Sequence, residues 1–255
     1  MNLTATLEAI ARKYPPALID NQVADIDRIS FHIRLVQERT GPHATVCDLG
    51  GGIGLFSVGC AAVGMRATLV DDFNDPVNVN HGESVLALHR SFGVEVISRN
   101  VITEGLDFSP GAFDAITTFE SMEHWHHSPK RLFASVTRLL RPGGLFVLSA
   151  PNCVSLRKRL SVPLGYGKWS QMRDWYEPEV FRGHTREPDV ADLLYIAKDM
   201  GIEHVNILGR NWGGYSSARP LIRIATSLAD RALRLRPSLC SDIYLLGRTR
   251  ALGRP

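Results

Sequence analysis

The chain has 255 residues, 44% hydrophobic and 22% charged, with a formal net charge of +3, enough chain for one α/β domain with an added cap. That charge is too small to point to a nucleic-acid partner without a concentrated basic patch. Four scattered cysteines (Cys47, Cys60, Cys153, Cys240) form no C-x-x-C pair, which argues against a disulfide framework or zinc site and for a cytoplasmic setting. Residues 1–10 lack the basic start and apolar run of a signal peptide, and no apolar stretch approaches the roughly 18 residues of a membrane span.

In chain order, residues 3–13 and Ile26 to Glu38 read as helices, the second with Ile26, Ile29, Ile33 and Val36 at helical spacing. They cover either a sheet edge or a ligand pocket. Tyr14, His32 and Arg34 are the side chains to test there, and Tyr14 and His32 are carried forward as candidate acceptor contacts. From Thr45 an apolar run that stops at Asp48 reads as a strand and breaks into closely spaced glycines before the helix Leu55 to Val63. A strand entering a helix through glycines lets a ligand approach the backbone closely. The dinucleotide fingerprint G-x-G-x-x-G fails here, because a start at Gly50 would need glycine where Leu55 stands. What stands instead is D-x-G-x-G-x-G, from Asp48 through Gly50 and Gly52 to Gly54. Met65 to Val70 is a second strand ending on Asp71 and Asp72. A carboxylate at that point can accept from both hydroxyls of a ribose, and Asp71 is better placed because it directly follows the apolar run.

Glu83 to Phe92 reads as a helix and Val94 to Ser98 as a third strand leading to Asn100 and Val101. Ala112 to His124 reads as a fourth strand and the loop after it, which carries Glu120-Ser121-Met122-Glu123-His124. A helix over Pro129 to Leu140, the turn Arg141-Pro142-Gly143-Gly144, a buried strand over Leu145 to Ala150 and then Pro151-Asn152 follow. Alternation stops between Cys153 and Pro188, a long stretch rich in aromatic, basic and histidine residues, of the kind that forms a lid or binding loop. A helix over Glu187 to Met200, a strand over Ile202 to Leu208, a basic amphipathic helix over Pro220 to Leu235 and a last strand over Ser241 to Arg248 complete the chain. For the basic helix the expectation is a solvated face over a buried apolar stripe, with a membrane or partner surface as the alternative.

The glycine turn with its downstream aspartate, the E-H loop, the R-P-G-G turn and the P-N end together resemble the class I S-adenosylmethionine-dependent methyltransferases over about residues 44–152. The likeness is strongest to the branch of ubiquinone-type and bacterial small-molecule O-methyltransferases. The resemblance implies a Rossmann-like α/β fold. It has a seven-stranded sheet in the order 3-2-1-4-5-7-6, helices on both faces and, here, an inserted cap over 153–188. The whole chain 1–255 would be one methyltransferase domain preceded by N-terminal helices over 1–40. It also implies S-adenosylmethionine as cofactor, held by Asp48, Gly50, Gly52, Gly54, Asp71, Asp72, Asn100, Val101 and Phe119. In the family the position of Asn100 is commonly an aspartate that binds the adenine amine, and the asparagine carbonyl can still accept from it.

Methyl transfer from a sulfonium is an in-line displacement, so alignment and desolvation carry most of the work, and an oxygen acceptor gains from a base. His124, His127 and His184 are the candidate catalytic groups, with His126 beside them. Trp169, Trp175, Tyr176 and Arg186 of the insertion are candidate acceptor contacts. No required metal is expected, because positions 124, 126 and 127 do not give a helical ligand face and no acid is clearly convergent with them. The expected reaction is methylation of a small-molecule hydroxyl on a sugar, polyketide-like or phenolic acceptor, without nucleic acid; a homodimer is left open. The alternatives are a non-catalytic donor-binding or scaffold protein and, further off, a nicotinamide-dependent oxidoreductase.

Overall fold

A computed structural model describes residues 2–167, 170–217 and 219–251, with side chains left aside for 76–79. Trp169 therefore lies outside the described residues. Three helices come first, α1 (Leu3–Ala11), α2 (Pro16–Ala24) and α3 (Ile26–Thr40), followed by β1 (Thr45–Leu49), α4 (Leu55–Ala62), β2 (Arg66–Asp71), α5 (Pro76–Ser91), β3 (Glu95–Ser98) and β4 (Phe113–Phe119). Then come α6 (Lys130–Leu139), β5 (Leu140–Pro151), α7 (Leu156–Ser161), α8 (Met172–Tyr176), α9 (Val190–Met200), β6 (Glu203–Arg210), α10 (Trp212–Tyr215), α11 (Pro220–Leu233) and β7 (Asp242–Arg248). The seven strands form one sheet in the order 3-2-1-4-5-7-6, as the resemblance implied.

Parallel pairing sets the cofactor end. β1 lies between β2 and β4, with Cys47 opposite Thr68 and Ile116, and β2 pairs β3 with Asp71 opposite Ser98. This register brings the carboxyl ends of β1, β2 and β3 to one edge, where ligands of open α/β sheets bind.

Contacts divide the chain into two compact units. The first comprises residues up to 118, 130–146 and those from 248 onward; the second comprises 119–129 and 147–247. In the first, α1 packs on α3 and α4. Gly59 makes that packing close, since a Cβ there would lie 2.6 Å from Ile33 and 2.8 Å from Leu7. Leu7, Ile33, Leu49, Leu55, Leu69 and Ile116 are among the fully buried side chains of this unit.

Besides the short helices α7, α8 and α10, which the sequence reading lacked, the elements depart from it at α2, α5 and β5. The reading had no helix at α2, which starts with Pro16 at its first turn, where proline's fixed φ suits a helix. Helix α5 begins at Pro76 and not at Glu83; Gly82 hides its continuity in the sequence pattern. The R-P-G-G stretch belongs to β5, held by Arg248 Nη1 donating to the Gly143 carbonyl (2.7 Å), Thr249 N to that of Gly144 (3.0 Å) and Thr249 Oγ1 to that of Arg141 (2.7 Å).

Candidate active site

The glycine turn closes over its own acid. Gly50 and Gly52 take left-handed backbone at φ 71° and 55°, and Gly50 N donates to the Val70 carbonyl at 2.8 Å, tying the turn to β2. Asp48 lies buried beneath, accepting from Ser57 Oγ at 2.9 Å and Thr117 Oγ1 at 3.2 Å. Burial pushes its pKa up to about 7 against the opposing effect of the two hydroxyls. A Cβ on Gly51 would overlap the Asp48 carboxylate, so the fold requires glycine at Gly51, between the motif positions. Gly54, which opens α4, is different: a Cβ there would meet only the Gly51 carbonyl oxygen, at an ordinary 3.5 Å.

Asp71 is held ready at the end of β2. Its Oδ2 accepts from Gly52 N at 3.0 Å and its Oδ1 from Phe73 N at 2.7 Å, with Phe73 itself at φ 53°. Each oxygen keeps a second lone pair for a ligand hydroxyl. Burial raises the Asp71 pKa. An acid clamped to the glycine turn, beside an open position at Gly54, fits the ribose and amino-acid ends of S-adenosylmethionine.

Asn100 corrects one expectation. Its Oδ1, expected to take the adenine amine, already accepts from Ile102 N (3.1 Å) and Thr103 N (3.0 Å), while its Nδ2 donates to Asp72 Oδ2 at 2.9 Å. A carbonyl oxygen has two lone pairs, and both are filled. Asn100 thus shapes the loop and orients Asp72; Val101 beside it is buried.

Tyr14 and His32 are also corrected. Tyr14 is buried, its hydroxyl 3.3 Å from the Gly54 carbonyl oxygen and 3.0 Å from His89 Nε2, so it braces the start of α4 from within. Burial lowers the His89 pKa to about 4, keeping that ring neutral. His32 is buried with its ring against Phe31 and Phe56, a core position and not an acceptor contact.

In the second unit, the loop after β4 starts with strained backbone. Glu120 sits at φ 51°, with its N donating to the Ser149 carbonyl (3.2 Å) and its Oε1 accepting from Ser149 Oγ (2.8 Å). Such outliers gather at functional sites. Phe119, just before it, faces Tyr244, with ring centroids 6.5 Å apart. Glu123 is 1% exposed, and burial together with nearby Glu120 pushes its pKa up to about 9. Its carbonyl accepts from Thr185 N (2.6 Å) and Arg186 N (3.2 Å) of the insertion.

His184 and His124 meet edge to face with centroids 4.9 Å apart. His124 Nδ1 lies 2.9 Å from the Arg182 carbonyl oxygen and therefore donates to it, while His184 Nδ1 lies 2.8 Å from Glu187 Oε1. Glu187 also receives Lys158; burial pushes its carboxyl upward, but the two hydrogen bonds outweigh this and hold it below its usual range. One ligand atom each from Glu123, His124 and His184 lies within 4.8 Å of the others, and Glu123 Oε2 has no hydrogen-bond partner among the described residues. The expectation of no metal rested in part on the lack of a convergent acid, and the structure removes that part. Only the packing of the insertion reveals it, since 60 residues separate His124 from His184.

His126 and His127 are exposed and lie outside this cluster, which leaves His127 without the catalytic company expected of it. Trp175 and His184 line a cleft of about 410 Å³ together with Gln171, Met172 and Phe181. Tyr176 is exposed beside Trp175, its ring centroid 6.5 Å away. Arg186 is turned elsewhere, onto both carboxylate oxygens of Asp192 at 3.1 and 3.2 Å, where Asp189 and Asp192 cap α9.

The sheet order, the glycine turn and the clamped Asp71 define a class I S-adenosylmethionine-dependent methyltransferase. The chain belongs to the methyltransferase-domain family, whose model matches residues 24–206. It is similar to the ubiquinone biosynthesis O-methyltransferases of Burkholderia pseudomallei, at 27% identity over 66% of this chain and 68% of that one, and of Dechloromonas aromatica, at 36% over half of each. Two solved structures share the fold. An S-adenosylmethionine-dependent methyltransferase from Thermotoga maritima superposes with a TM-score of 0.55 at 12% identity, covering 98% of this chain and 96% of that one. Phosphoethanolamine N-methyltransferase 2 of Haemonchus contortus, in complex with S-adenosyl-L-methionine, gives 0.55 at 15%, covering 86% of this chain and 52% of that one. S-adenosylmethionine is the cofactor of this class.

Proposed function

We propose that the protein methylates a hydroxyl of a small molecule, with phenolic, sugar or polyketide-like acceptors as the class to test, and that the whole chain acts as one methyltransferase. The observation that carries this reading is the aromatic cleft of the insertion, which ends on His184 where that ring meets His124. The likeness to ubiquinone biosynthesis O-methyltransferases supports oxygen as the acceptor atom. Gly50, Gly52 and Gly54 present backbone to the donor, Asp71 holds its ribose, and Asp72, Val101 and Phe119 stand for its remaining contacts. The donor brings a methyl group already activated by its sulfonium charge. Trp175 and Tyr176 stack on the acceptor's ring or apolar face. His184, oriented by Glu187, takes the hydroxyl proton as the bond forms, and His124 fixes its ring. Unpaired cysteines support a cytoplasmic setting.

The test is incubation with methyl-labelled S-adenosylmethionine and a panel of catechols, sugars and hydroxylated polyketides, with the labelled position read by NMR. Label on oxygen is the expected result. Label on nitrogen or carbon overturns the acceptor assignment, and donor binding without any transfer favours a binding protein.

The orphaned Glu123 Oε2 favours a second reading of the same cluster, in which Glu123, His124 and His184 hold a divalent cation. Two imidazoles and one carboxylate suit zinc, and the two Nδ1 hydrogen bonds are the outer contacts that orient metal-bound histidines. Calorimetric titration with zinc chloride should then show uptake that His184→Ala and Glu123→Gln both abolish. No uptake by the unaltered protein leaves His184 as a base.

A further inference from the structure

Helix α11 wears its apolar stripe on the outside. Leu221, Ile224 and Leu228, spaced i, i+3 and i+7 and so on one face, are 80%, 56% and 80% exposed. The opposite face is the docked one. Asp230 is its buried residue, accepting from Asn211 Nδ2 at 2.8 Å and Tyr215 Oη at 3.0 Å and pairing with Arg234. Thr226 lies so close to Gly214 of α10 that no side chain would fit there. Polar and small contacts thus hold the helix down and present its leucines to solvent, the reverse of the buried stripe expected from the sequence.

Charge identifies what covers such a face. Between Asn211 and Leu239 the chain carries Arg219, Arg223, Arg231, Arg234 and Arg236, and its single acid, Asp230, faces inward. All five arginines are exposed. A helix held in place by polar contacts, with exposed leucines beside Arg231 on a segment where five arginines are set against one acid, which takes Arg234, matches an anionic lipid surface, where apolar side chains enter the acyl boundary and guanidinium groups meet phosphates. A second copy fits poorly, because a two-fold contact sets the same arginines against each other without an acid between them. We propose that α11 is a peripheral membrane-docking helix that rests the protein on an anionic bilayer. No helix among the described residues is long and apolar enough to cross a membrane, so attachment through α11 is reversible.

The experiment is co-sedimentation of the full chain with vesicles of phosphatidylcholine alone or mixed with phosphatidylglycerol, at low and high salt. Binding to the anionic vesicles that weakens with salt is expected. Leu221→Ser with Leu228→Ser should weaken it at least about ten-fold, and Arg231→Gln about five-fold. These side chains are exposed, so melting temperature and S-adenosylmethionine affinity should stay unchanged, which separates a failure of docking from a failure of folding. Absence of anionic-vesicle binding, or binding that the leucine double variant retains, overturns the proposal. If instead size-exclusion chromatography shows an oligomer that the leucine variant dissolves, while vesicles are ignored, a second copy covers the stripe. If the protein ignores vesicles but an acidic polypeptide captures it through the same residues, the partner is a protein.

Discussion

The two units dispose of apolar surface in opposite ways. Among the described residues, every large apolar side chain recorded as exposed, apart from Val23, belongs to the second unit, from Leu160 and Trp175 to Leu228 and Leu235. The first unit buries its own between sheet and helices and ties its polar groups to nearby partners, as Asp48 is tied to Ser57 and Thr117. A donor common to a whole class asks for a rigid, closed binding edge. Acceptors and docking partners vary, and surface left uncovered is where such variation can be accommodated.

The sharpest way to break this contrast is at the glycine turn. Gly51→Val forces a side chain into Asp48 and Leu69, so the melting temperature should fall steeply and calorimetry should detect no S-adenosylmethionine binding. Gly54→Val places bulk where the structure is open, and should leave melting within a few degrees while weakening donor binding about ten-fold or more. Equal melting of the two variants would show that the turn is not sterically closed over Asp48.

A smaller effect is expected in the cleft. Trp175→Ala removes an aromatic wall from a residue that is 57% exposed, so melting and donor affinity should hold while acceptor KM rises roughly ten-fold. A lowered melting temperature with loss of donor binding would mean that the insertion's aromatics are structural.

The smallest effect reads on Asp48. Its folded pKa, about 7, lies above the ordinary aspartate value of about 3.8, so the folded state retains a proton that the unfolded chain releases. This group's contribution to stability is therefore fully present below about pH 4 and is lost as pH rises toward 7, with a slope of at most about 1.4 kcal/mol per pH unit. Asp48→Asn, whose amide can accept from one of the Ser57 and Thr117 hydroxyls and donate to the other, should flatten that part of a denaturation series. Parallel pH curves for the two proteins would place Asp48 in a more polar setting than the structure shows.

The strands, the glycine turn and Asp71 were legible because each depends on local pattern: apolar runs, φ-permissive glycines and an acid at a strand end. Tyr14, His32 and Asn100 were misread for one shared reason. Residue type says that a group can bind, and only folding shows whether the chain's own atoms have already taken it, as Ile102 and Thr103 take the Asn100 carbonyl. His184 and Glu123 come together through tertiary packing that leaves no trace at short spacing. Helix α11 shows the limit of periodicity most plainly: its repeat identified an apolar face correctly and was silent on whether that face turns inward.

The insertion leaves the end of β5 and meets the start of α9 through a narrow neck. Cys153 N donates to the Pro188 carbonyl at 3.1 Å, and just inside that closure Lys158 pairs with Glu187. A loop cinched at its base can change in length and composition without passing strain to the strands beside it. A chain closed in this way between Cys153 and Pro188 can take changes of length and composition beyond that closure at little cost to the strand before it.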